Sequence, residues 1–211
     1  MTRIILVRHG ETEWNRVEHF RGRADVPLNE TGLTQARRMA QRVASQWRPV
    51  AIYSSPLTRA VKTAEAVARH FGLSVEVHFG LIDIDYGQWQ GLTPGEAKER
   101  WPEATNAWYN APHTACIPGG ETLDDLRTRA ERTVNDLATR REGQTIVLVG
   151  HTVINRMILL SVLGLGNDHF WRLRQDTCAI NVFEVEGGVF TLVSLNDTCH
   201  LREEHSDERE K

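Results

Sequence analysis

Two histidines stand where apolar runs stop. Ile4-Ile5-Leu6-Val7 leads into Arg8-His9-Gly10, and Ile146-Val147-Leu148-Val149 leads into Gly150-His151-Thr152. An imidazole titrates near neutrality, so it can act as a nucleophile, carry a proton or, when charged, bind an anion. Arg8 precedes the first histidine, and Arg59 follows the Ser54-Ser55-Pro56 turn. Guanidinium groups suit two-point contact with phosphate or carboxylate. Taken singly, each residue has a plainer reading: a surface charge beside a strand, or a bystander histidine at a strand end. Taken together, two imidazoles and two guanidiniums would cradle one phosphate-sized anion, provided the fold brings them to one place.

The elements that must do this are legible in outline. Short Val/Ile/Leu runs bounded by turn residues read as strands buried on both faces of a parallel sheet, and in open α/β sheets the ligand crevice lies at the carboxyl ends of such strands. Val50 to Tyr53 is a further strand of this kind. Ser55 reads as an N-cap with Pro56 at the first helical position. The helix then continues through Leu57, Ala60, Ala64, Val67 and Phe71 to Gly72 and carries Arg59 in its first turn, where free backbone N–H groups already favour an anion. Thr31 to Trp47 has helical spacing with one apolar face, and a short strand follows the second helix near 74–77. The stretch 13–30 reads as a loop around Gly22 and Pro27, and 81–95 as a structured loop. Two short helices are expected in 94–110, divided at Pro102. Thr122 with Asp125 resembles a capping box opening a helix to about Arg141, and another helix spans about 153–163. Two alternating strands near 178–186 and 189–195 turn at Gly187-Gly188.

Alternation of strands and helices without a break predicts one α/β domain over 1–202, a three-layer α/β/α arrangement on a mostly parallel central sheet, with a charged, solvated tail at 203–211. The 211 residues carry 40% hydrophobic and 25% charged side chains with a net charge of -3, which gives no general reason to expect nucleic acid or a membrane as partner. No apolar run reaches the ~18 residues of a membrane span, and no signal-peptide pattern opens the chain. Cys116, Cys178 and Cys199 lack metal-site spacing and read as reduced thiols, so a cytoplasmic location is expected.

The stretch Leu6-Val7-Arg8-His9-Gly10-Glu11-Thr12-Glu13-Trp14-Asn15 resembles the signature of the histidine phosphatase superfamily, the phosphoglycerate-mutase-like proteins. Ser54-Ser55-Pro56-Leu57-Thr58-Arg59-Ala60, the segment from Asp83 to Tyr86-Gly87-Gln88-Trp89-Gln90-Gly91, Gly119-Gly120-Glu121-Thr122 and Gly150-His151-Thr152 follow in the order of that family. The resemblance implies a phosphoglycerate-mutase-like fold and a phosphomonoesterase working through a phosphohistidine. His9 would be the nucleophile, Arg8, Arg59 and His151 would hold phosphoryl oxygens, and Asn15 would add a phosphate contact. No metal or cofactor is expected, since the arginines supply the positive charge. The partner would be a small phosphorylated metabolite, and the chain could form a homodimer, as family members often do.

Two positions depart from the family pattern. Where a glutamate usually protonates the leaving oxygen, this chain has Asp83, one methylene shorter; a loop shift, a bridging water, Asp85 or Glu121 could make up the difference. Where a glutamine is common, the chain has Arg21-Gly22, and a cation there would favour a substrate with a second anionic group. Arg21, Gly22, Thr152 and His200 are therefore expected at the substrate, His200 at the pocket rim. The short Gly91–Gly119 segment leaves a site open to water, which favours hydrolysis over mutase-type shuttling, with an inactive binding scaffold as a third reading. The ending Ser194 to Leu201 resembles metal-independent phosphoserine phosphatases, making phosphoserine a candidate substrate. All of this requires the two imidazoles to face each other across a space the size of a tetrahedral anion.

Overall fold

The computed structural model describes residues 1–202; the expectation of a solvated tail at 203–211 lies outside the described residues. Six strands, β1 (Thr2–Arg8), β2 (Ala51–Ser54), β3 (Val75–Val77), β4 (Thr145–Gly150), β5 (Ile180–Glu186) and β6 (Val189–Asp197), form one sheet in the order β3-β2-β4-β1-β5-β6. The first four are mutually parallel, and the hairpin β5-β6 adds antiparallel strands beyond β1.

Alternate side chains of a strand leave on opposite faces, and both faces here are covered. Ile4, Leu6, Ile146 and Leu148 enter one apolar layer with helices α6 (Leu123–Arg140) and α7 (Thr152–Val162). Ile5, Val7, Val147 and Val149 enter the other, against α2 (Glu30–Gln46) and α3 (Thr58–Phe71). That explains why β1 and β4 read as unbroken apolar runs rather than alternating ones. Because β1 and β4 pair in parallel with Arg8 opposite Gly150, the residues that follow, His9 and His151, leave the sheet side by side. No helix among the described residues is long and apolar enough to cross a membrane.

The capping box at Thr122 and Asp125 forms as expected, and α4 (Pro94–Arg100) and α5 (Pro102–Asn110) divide at Pro102. Two expectations need correction. The stretch 13–30 is not wholly loop: Glu13–Arg16 makes a single helical turn, α1, which Thr12 and Asn15 close with a capping box. And α3 starts at Thr58, with Leu57 rather than Ser55 in the cap position. The first-turn donor is satisfied from a distance: Asp25 accepts from the Thr58 backbone N–H at 2.8 Å and from its hydroxyl at 2.7 Å. The Ser55 hydroxyl stands one step ahead of the cap, accepting the Leu57 N–H at 3.4 Å and lying 2.7 Å from His151 Nε2.

Candidate active site

Strand pairing brings the His9 and His151 rings to 5.0 Å between centroids, tilted by 58°. That separation leaves no room for an anion between their faces, so the expected facing arrangement is amended: the rings adjoin. Each has a defined tautomer. His9 Nδ1 lies 2.6 Å from the carbonyl oxygen of Gly10, which can only accept, so Nδ1 carries the proton and Nε2 keeps its lone pair. His151 is the reverse. Arg59 Nε can only donate and lies 3.2 Å from His151 Nδ1, so the proton sits on Nε2, which donates to Ser55 Oγ. Burial and the neighbouring Arg59 hold both imidazoles well below the ordinary histidine range, and both are neutral near pH 7.

Arg59 is fully buried, an uncommon place for a guanidinium, and Arg8 is nearly so. Arg59 donates through Nη1 to the Ala24 carbonyl at 2.6 Å and through Nη2 to the Gly22 carbonyl at 2.8 Å. Arg8 Nη1 donates to the Gln175 carbonyl at 2.6 Å, while its buried Nε has no partner. Neither pairs with a carboxylate among the described residues. Burying cations with only neutral acceptors costs several kcal/mol each, and burial lowers the pKa of both. An arriving dianion would offset that cost.

Above this pair a cavity of about 310 Å³ opens, lined by Arg8, Arg21, Gly22, Asp83 and Thr152 among others. His9, His151 and Arg59 are buried and are not among the residues that line it. Arg21 reaches into it with Nη1 on the Trp14 carbonyl at 2.6 Å. Gly22 has φ +45°, and a Cβ there would stand 2.8 Å from the Ile84 carbonyl oxygen. The loop carrying Arg59's acceptors therefore crosses the Asp83 loop at a point only glycine allows. Gly22→Ala is expected to destabilise the fold by about 1–3 kcal/mol and to lower kcat/KM, checked by thermal denaturation and initial rates.

Asp83 is buried, and its Oδ1 has no partner. Burial raises its pKa against the pull of Arg59 and of the Ile84 and Ile154 N–H groups, so it holds a proton at higher pH than an ordinary aspartate. The alternatives are otherwise engaged. Asp85 bonds to Arg23 at 2.9 Å and to the Gly87 N–H, while Glu121 holds Arg23 and Arg129 and accepts the Asp85 N–H.

Two expected contacts are not brought into the cavity. Asn15 spends its Oδ1 on Thr12 and borders a separate shallow depression on the far flank of Arg8. His200 lies 3.1 Å from the Cys178 carbonyl and lines another depression with Arg38 and Arg42. His200, Cys199 and Asp197 place donor atoms within 4.8 Å of one another, the one such group among the described residues that could hold a metal. Asp197 there already accepts the Cys199 N–H at 2.9 Å and faces Arg42 at 3.9 Å. Sequence reasoning missed Arg156, Tyr86, Trp108, Phe170 and Trp171 on the cavity wall. Only Arg156 left a signal: it falls four residues after Thr152, on the same helical face.

The family model described as histidine phosphatase superfamily (branch 1) matches residues 4–198. Phosphoserine phosphatase 1 of Hydrogenobacter thermophilus is 36% identical over 203 residues, 96% of each chain. Among solved structures, Bacillus stearothermophilus YhfR superposes with a TM-score of 0.91 at 31% identity, covering 96% of this chain and 100% of that one. A mutant phosphoserine phosphatase from Entamoeba histolytica, solved with phosphoserine, gives 0.85 at 29% identity, with 96% and 100% covered.

Proposed function

The chain belongs to the histidine phosphatase superfamily, branch 1, and is a phosphomonoesterase of that type, and we propose that it hydrolyses phosphoserine through a phosphohistidine on His9. The observation that carries this reading is the pair of tautomers. His9 Nε2 has a free lone pair, whereas both nitrogens of His151 are engaged, Nδ1 by Arg59 and Nε2 by Ser55. Only one imidazole is thus poised to attack phosphorus.

In the first step His9 Nε2 bonds to phosphorus as the serine oxygen leaves with the proton of Asp83. Arg8, Arg59 and Arg21 neutralise the equatorial oxygens, the main requirement of phosphoryl transfer. His151, at the same strand ends, shifts its Nε2–H from Ser55 to a phosphoryl oxygen. In the second step Asp83, now a carboxylate, takes a proton from water as that water attacks phosphorus, and the His9–phosphorus bond breaks to release phosphate. Phosphoserine is favoured because the Hydrogenobacter thermophilus and Entamoeba histolytica proteins carry that name and because the wall holds cations beyond those the phosphoryl group needs.

Phosphate release from a panel of phosphoserine, 3-phosphoglycerate and p-nitrophenyl phosphate, with and without EDTA, tests this. Phosphoserine is expected to give the highest kcat/KM, with the rate unchanged by EDTA. Isomerisation of 3-phosphoglycerate outrunning phosphate release would make the protein a mutase. No turnover even of the aryl ester would make it a binding scaffold.

A further inference from the structure

Arg156 stands on α7, one turn beyond Thr152, and no step of the phosphoryl chemistry uses it. Its guanidinium lies over Phe170 at 4.8 Å and over Trp171 at 5.0 Å from the ring centres. Trp171 is itself held, its indole N–H donating to the Trp108 carbonyl at 2.7 Å and its ring stacked 5.5 Å from Tyr109. Arg156 Nε donates to the Leu173 carbonyl at 2.7 Å. Shelf and anchor together fix the guanidinium plane, while Nη1 and Nη2 have no partner among the described residues. Arg156 lines the cavity with Asp83 and Tyr86.

The other cations of the cavity are committed. Arg8 and Arg59 are buried beside the imidazoles. Arg21 is tied to the Trp14 carbonyl at 2.6 Å, and its charge bears on both histidines as well as on Asp83. Arg174 is largely exposed and paired with Asp176 at 2.8 Å. Arg156 shares the cavity wall with Asp83, the group that protonates the leaving oxygen, and the two charges act on each other's surroundings along with that of Arg8. A planar fork held rigid there, with two N–H groups to give, has the geometry of a carboxylate receptor, and a prepaid orientation spares the ordering cost of a flexible side chain.

We propose that Arg156, on its shelf of Phe170 and Trp171, binds the carboxylate of the leaving alcohol and so selects small carboxylated phosphomonoesters. This rests on the phosphoserine reading above and reassigns to Arg156 the second-anion role that the sequence suggested for Arg21.

Phosphoethanolamine is phosphoserine without the carboxylate, and comparing the two isolates that group. The wild-type enzyme is expected to favour phosphoserine by about 100-fold or more in kcat/KM, since a site built to pair a polar group discriminates strongly against its absence. Arg156→Gln is expected to lose most of that factor on phosphoserine, chiefly in KM, and less than about 3-fold on phosphoethanolamine, because two charge-assisted hydrogen bonds go with the fork. Arg156→Lys, which keeps the charge and serves should the glutamine variant fold poorly, should fall between. Equal losses on both substrates, or a preference that survives both substitutions, would overturn the assignment while leaving phosphoserine as substrate. A wild type that does not distinguish the two esters would overturn both.

Discussion

His9→Ala is expected to lower kcat on every substrate by about 10⁴-fold or more, the range seen when a covalent nucleophile is removed. Enzyme quenched during turnover of a ³²P-labelled ester should carry base-stable, acid-labile label in the wild type and none in the variant. Binding should survive: Arg8, Arg21 and Arg59 donate their hydrogen bonds to backbone carbonyls or to His151, none to His9. Phosphate should therefore protect His9→Ala against thermal unfolding nearly as well as it protects the wild type. The outcome that would sink the assignment is label retained in His9→Ala and lost in His151→Ala. The tautomers argue against it, because the His151 lone pair is taken up by Arg59 at 3.2 Å.

Asp83→Asn should separate substrates by leaving group. Serine leaves as a poor alkoxide unless protonated, so the variant should lose about 10²–10⁴-fold on phosphoserine, the usual contribution of general acid catalysis. On p-nitrophenyl phosphate, whose phenolate leaves unaided, the loss should stay under about tenfold. Similar losses on both would mean that Asp83 is not the acid. The pH profile supplies a second readout. His9 must be neutral to attack, and its depressed pKa keeps it so to pH values below the ordinary histidine range. Asp83 must be protonated to act first as an acid, and its raised pKa extends that form upward in pH from the ordinary carboxyl range. Activity on alkyl esters should thus fall on the acid side as His9 gains a proton and on the alkaline side as Asp83 loses one. In Asp83→Asn the alkaline fall governed by Asp83 should vanish while the acid limb stays.

What could be read in the sequence follows from which interactions are local. The tips of β1 and β4 were legible because a doubly buried strand needs an unbroken apolar run, and the run shows where it ends. Arg59 was legible as a first-turn residue even though the helix begins later than its local signals suggest. Ser55 was misread for a physical reason: a serine before proline looks like a cap, and its partner His151 lies on another strand's end. Asp25, which does cap that helix, sits in a stretch with no periodicity to place it. Arg156 left only its spacing from Thr152, a weak signal because an arginine in a helix is ordinarily solvated; its aromatic shelf comes from the turn at Asn167–Arg172, beyond the end of α7. His200 was placed at the rim on the strength of resemblance, but the turn after β6 directs it toward the Cys178 carbonyl instead.

The groups that hold His9, Arg8, Arg59, Arg21 and Arg156 in place share one property: each includes a main-chain carbonyl, those of Gly10, Gln175, Gly22 with Ala24, Trp14 and Leu173. Outside Gly10 and Gly22, where a Cβ would collide with neighbouring backbone, such a carbonyl survives most replacements of the residue that bears it. The reacting centre is thus insulated from genetic drift in its surroundings, and natural variation can reshape the wall facing the alcohol without unsettling the nucleophile. Such a scaffold can trade one phosphate ester for another in a few mutational steps, each intermediate still an enzyme.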